Sequence, residues 1–116
     1  MDAHQWRDDE VNDDRSTFDP PDKDQLARRA DDLIRRCRLV RRHGWSDYRH
    51  RWSCGEVLGA ALVLGDDAEL QRRGETTISA LERWAFDLWG LTGGQSDVET
   101  GFRRTRAWFD SIRAAR

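Results

Sequence analysis

Apolar side chains recur along this chain in four stripes of helical period and are almost absent before them. Leu26, Ala30, Leu33, Cys37 and Val40 follow the 3.6-residue repeat, with Ile34 widening the stripe, which predicts an amphipathic helix from about Lys23 to His43. Asp22 or Asp24 can cap its start, the Arg run with His43 suits its negative C-terminal end, and Gly44 is placed to stop it. The opposite face carries Arg28, Arg35, Arg38 and Arg42, which belong in water or on a partner.

Ser53 and Glu56 form a capping box for a second helix, Cys54 to about Leu64. Its apolar residues, Val57, Leu58 and Ala60 to Leu64, run round the whole circumference, so this helix is expected at the centre of the fold. Gly55 and Gly59 mark a side where a neighbouring backbone can approach. Gly65, Asp66 and Asp67 then give a break and a new cap, and Ala68 to Arg73 make a short helix or a continuation before Gly74.

Glu75 to Trp89 is the third substantial helix, with Ile78, Leu81, Trp84, Ala85, Leu88 and Trp89 on one arc and Phe86 at its margin. Glu82 projects into that arc, where a carboxylate needs a cationic or hydrogen-bonding partner. Gly90 ends this helix, and Leu91 to Gln95, with Gly93 and Gly94, is expected to be a hinge-like loop. Ser96 and Glu99 suggest another capping box, followed by Val98, Phe102, Thr105, Phe109 and Ile112 along a final helix. No segment alternates with period 2, and there is no internal repeat or sustained heptad. The expected fold class is all-α, a compact bundle of about four helices over residues 22–116.

Residues 1–21 differ in kind. They have almost no apolar side chains apart from Trp6, Val11 and Phe18, and they finish on Pro20 and Pro21. Ordering a chain costs on the order of 1.5 kcal/mol per residue, which three scattered side chains do not offset, so a disordered acidic arm is predicted. The functional alternative is that Trp6 or Phe18 anchors the arm on a partner or on the chain's own Arg-rich block, where it would compete with that partner.

With 116 residues, 37% of them hydrophobic and 36% charged, there is material for one core only. The longest apolar run, Ala60 to Leu64, is far short of the ~20 residues that cross a bilayer, and the acidic start lacks a signal peptide's features, so a soluble cytoplasmic protein without membrane partners is expected. Net charge is only −2, but it is segregated. Residues 1–25 hold nine acidic and three basic side chains, 26–53 hold three and nine, 54–101 nine and three, and 102–116 one and five. Such alternation favours docking of one block on another or on a partner. Of the 20 basic residues only Lys23 is not Arg, as GC-rich coding in a bacterium, phage or plasmid would give. Arg nevertheless brings a planar donor fork that pairs with carboxylate or phosphate and stacks on aromatic rings.

The densest candidate chemistry is Arg41 to Cys54, RRHGWSDYRHRWSC. Basic residues interleaved with aromatic ones supply phosphate contacts and stacking platforms for nucleic acid, and the same residue types dominate protein interaction hot spots. The structural alternative makes Trp45 and Trp52 lids over a helix junction. Cys37, His43, His50 and Cys54 lie within 18 residues, enough in number for zinc, but the spacing lacks the close ligand pairs of zinc modules, and no metal site is assigned. A disulfide is disfavoured in a cytosolic setting. A helix-turn-helix laid on Val57 to Gly74 places Asp66, Gln71 and Gly74 where apolar residues belong, and turns Asp66, Asp67 and Glu69 toward phosphates. The chain has no P-loop, dinucleotide glycine fingerprint, HExxH or nucleophile elbow, so no catalytic residue and no cofactor is assigned.

The expected function is therefore that of a non-enzymatic helical interaction module, a regulator or adaptor. It would present Arg35, Arg38, Arg42, Trp45, Tyr48, Arg49, Arg51 and Trp52, extended by Arg103, Arg104 and Arg106, to an acidic protein partner. The alternative is a DNA- or RNA-binding regulator using the same patch, a reading weakened by the acidic net charge.

Overall fold

Helix α1 occupies Lys23–His43, the predicted range, because the chain carries both of its stop signals locally. Asp22 and Gln25 cap the start reciprocally, each side chain accepting from the other's backbone N–H at 2.9 Å. Gly44, at φ 82°, ends the helix while its N–H donates to the Val40 carbonyl. The computed structural model describes residues 22–115, so the predicted arm at residues 1–21 lies outside the described residues.

Four further helices follow: α2 (Cys54–Leu64), α3 (Asp67–Arg72), α4 (Thr77–Glu99) and α5 (Arg103–Ala115), with no strand among the described residues. The Ser53 and Glu56 capping box forms at the start of α2, and Val57 to Val63 are all buried. Every other helix contacts α2, which makes it the central rod of an all-α bundle. At Gly59 a Cβ would lie 2.5 Å from the Trp84 ring and 2.9 Å from Leu33, so the missing side chain lets α1, α2 and α4 meet. Around Gly55 there is open space, and its role is different: its carbonyl accepts from the Trp84 indole N–H at 3.1 Å.

Helix α4 departs from expectation at two places. Its N-cap is Thr76, paired reciprocally with Ser79, and its buried stripe is the narrow one of Ala80, Leu81, Trp84, Ala85 and Leu88. Ile78 and Glu82 project to one side of that stripe, so Ile78 is half exposed and Glu82 faces solvent rather than requiring a buried partner. The second departure is Leu91 to Gln95, which is helical and not a hinge-like loop. A single non-helical residue, Gly90 at φ 80°, redirects the chain, and helix resumes at once. Gly93 and Gly94 serve close packing: Cβ atoms there would lie 2.9 Å from Trp89 Cβ and 2.6 Å from the Phe86 ring.

The Ser96 and Glu99 capping box does not form either, since both residues belong to the last turns of α4. Helix α5 is capped instead by Asp97, whose buried carboxylate accepts from the backbone N–H of Arg104 (2.8 Å) and Thr105 (3.1 Å) and from the Thr105 hydroxyl. The Trp89 indole N–H donates to the same hydroxyl at 3.0 Å. Between α4 and α5, Phe102 adopts φ 65°, costing about 1–2 kcal/mol for a non-glycine residue, an amount that burial of its ring offsets.

The far end of α5 closes α2. Arg113 donates from Nη2 to the Leu62 carbonyl (2.7 Å) and from Nε to the Val63 carbonyl (3.2 Å), at the helix end where carbonyls lack intrahelical donors. Among the described residues no buried side-chain polar atom lacks a partner, and no helix is long and apolar enough to cross a membrane.

Candidate functional site

The loop between α1 and α2 winds through two successive turns. Tyr48 and Arg49 donate their backbone N–H groups to the Trp45 carbonyl, and Arg51 and Trp52 donate theirs to the Tyr48 carbonyl. Spacings of three and four residues bring Trp45, Tyr48 and Trp52 together: Tyr48 stacks on Trp52 with centroids 4.8 Å apart, and Trp45 meets Trp52 edge-on at 6.5 Å. Trp45 and Trp52 pack against the core. The Arg36 guanidinium lies 4.7 Å from the Trp52 ring centroid while pairing with Asp32 (2.6 Å) and Glu56 (2.8 Å).

Acidic residues of the α2–α3 junction clamp this loop. Asp66 accepts the Trp45 indole N–H at 2.8 Å and, with its other oxygen, the Glu69 backbone N–H. Glu69, only 3% exposed, takes a bidentate fork from Arg49 at 2.8 and 2.7 Å. Its hydrogen bonds hold the Arg49 guanidinium above its usual pKa. Arg72 approaches Glu69 at 3.4 Å, and the Arg73 guanidinium donates to the Arg49 carbonyl. Two of the three acidic side chains that spoil a DNA-reading helix, Asp66 and Glu69, thus face the protein's own Trp45 and Arg49, while the third, Asp67, is exposed and accepts from the Thr77 hydroxyl.

The remaining expected site residues fall into a different setting. Arg35, Arg38 and Arg42 lie on the exposed face of α1, and Arg51 is exposed on the loop beside it. Arg35 pairs with Asp32 at 2.9 Å. Burial raises the Asp32 carboxyl, but hydrogen bonds from Arg36 and Arg35 outweigh it and leave the group below its usual value. Arg38, Arg42 and Arg51, like Arg28 and Arg41, have no carboxylate or hydrogen-bonding partner among the described residues.

Elsewhere, Arg104 stacks on Trp89 at 4.0 Å and Arg106 donates to the Gly101 carbonyl, so only Arg103 of that second basic group is uncommitted among the described residues. Cys37 is buried with its thiol donating to the Ala60 carbonyl, Cys54 accepts from Arg83 at 3.4 Å, His43 tilts against Tyr48, and His50 is exposed. Among the described residues no three His, Cys, Asp or Glu side chains converge on a point that could hold a metal.

Sequence reasoning did not single out Asp32, Glu56, Asp66 and Glu69 as partners of the patch. For Glu56, Asp66 and Glu69 the available signal was the charge alternation itself, the acidic block 54–101 docking on the basic block 26–53, and for Asp32 it was the three- and four-residue spacing to Arg35 and Arg36 on one helix. Comparison with family models, with curated proteins and with solved structures gave no match.

Proposed function

We propose that this protein is a small non-enzymatic helical interaction module, a regulator or adaptor, whose exposed Arg strip on α1 recognises an acidic protein partner. Arg35, Arg38 and Arg42 with Arg51 form the strip, and Tyr48 flanks it. One observation supports this above all. Among the described residues the fold supplies carboxylates to Arg29, Arg35, Arg36, Arg49, Arg72 and Arg113 but none to Arg28, Arg38, Arg41, Arg42 or Arg51. Guanidinium forks at helical spacing on a rigid rod match carboxylates presented in a row. A nucleic-acid reading has less support, because the Trp52 ring a base would stack on is already engaged by Tyr48 and Arg36.

Titration with a fluorescent decaglutamate peptide, beside an oligothymidylate of equal charge, tests the reading. The peptide is expected to bind at low salt, and Arg38→Ala with Arg42→Ala is expected to weaken it about tenfold. Tighter binding of the oligonucleotide, with a steeper loss on adding salt, would transfer the strip to nucleic acid.

A further inference from the structure

Most of the exposed Arg strip lies on the helix that residues 1–21 lead into. Those residues carry seven acidic side chains and two basic ones, and they join the described fold at Asp22, the N-cap of α1. Five of the seven, Asp8, Asp9, Glu10, Asp13 and Asp14, are crowded into one short stretch. On the exposed face and end of α1 and the adjoining loop, Arg28, Arg38, Arg41, Arg42 and Arg51 have no carboxylate among the described residues.

We propose that in the free protein residues 1–21 occupy this strip as a tethered acidic mask, which a partner must displace. The proposal rests on the reading above that the strip recognises carboxylates, and adds what regulates it. Reach suffices: the 8 to 14 residues that separate these carboxylates from Asp22 span up to about 28 to 50 Å when extended, whereas a helix the length of α1 is about 31 Å long. Asp8, Asp9 and Glu10 can therefore lie against the far end of α1, and Asp13 and Asp14 against its nearer part. Each exposed pair is weak by itself. Tethering raises the local concentration of those carboxylates to the order of millimolar, so several weak pairs acting together suffice. The occupant has to be acidic, long enough and always present, and residues 1–21 meet all three conditions. The mask also sets a threshold: a sparsely charged surface does not displace it, whereas a partner with a dense row of carboxylates does.

The test uses the full chain and a variant of it carrying Asp8→Asn, Asp9→Asn, Glu10→Gln, Asp13→Asn and Asp14→Asn. Backbone amide spectra are compared first. The mask predicts shift differences concentrated at residues 28–42 and 51, independent of protein concentration and abolished by high salt. Spectra that coincide there, or differ only elsewhere, would overturn the mask. Differences that grow with protein concentration would place the arm on a second copy and likewise overturn it. Decaglutamate titration comes second, with the neutralised chain expected to bind about tenfold more tightly than the original and the two converging at high salt. Predicted shifts without peptide binding to either chain would leave the mask standing and refute the acidic-partner function. Equal peptide binding with no shift difference would do the reverse.

Discussion

Arg42 and Arg49 are seven positions apart and belong to the same run of basic and aromatic residues, yet the fold uses them in opposite ways. Arg49 points at α3, where a buried Glu69 takes both arms of its fork. Arg42 points away from α2, exposed, with no partner among the described residues. The difference arises from the second acidic block, which reaches the loop but not the outer face of α1. An Arg-rich run is therefore two things at once: a seam that joins elements, and a surface left over once the seam is closed.

Substitutions should separate the seam from the surface by their effect on stability. Trp52→Ala is expected to have the largest effect, about 3 kcal/mol by denaturant unfolding, because the half-buried ring carries contacts from Arg36, Trp45 and Tyr48. Arg49→Ala comes next, since it leaves Glu69 buried without its fork; the thermal midpoint should fall by about 10 °C, and an unchanged midpoint would put Arg49 on the surface side of the divide. For Arg38→Ala and Arg42→Ala the same measurement should show changes within about 0.5 kcal/mol, the loss appearing in acidic-peptide binding instead.

Asp32 lies on the boundary and should show the smallest effect. Its carboxyl has a lower pKa folded than the ordinary 3.8, so the stability it contributes is present above that value and is lost as pH falls through the folded one. Unfolding of Asp32→Asn and the parent chain should thus differ most well above pH 3.8 and converge only once the pH has fallen below the lowered folded value. A difference that persists in acid would show that the carboxylate charge is not what holds Arg35 and Arg36.

Local signals were legible and distant ones were not. The bounds of α1 and α2 follow from caps and periodicity within a few residues of each end, and the Ser53 and Glu56 box forms as spaced. The Leu91 to Gln95 stretch misleads because three glycines nearby suggest a loop, when only Gly90 takes a conformation that needs glycine and its neighbours give up side chains for closeness. Asp97 could not be picked out as the cap of α5, because it acts across a turn from the preceding helix. In the candidate site, sequence brings the Arg and aromatic residues together correctly along the chain. It does not say which of them meet Asp66 and Glu69, because that depends on how α3 folds back over the loop.

The guanidinium of Arg113 on the α2 carbonyls ties the order of synthesis to the order of assembly. A growing polypeptide makes its central rod some 50 residues before the group that closes that rod, so a nascent chain on the ribosome holds an unfinished centre until α5 has emerged. Termination in α5 before Arg113 removes this clasp, and earlier termination also removes Ile112 and Phe109 from the core, so such products are expected to be less stable and more open to proteolysis than the full chain.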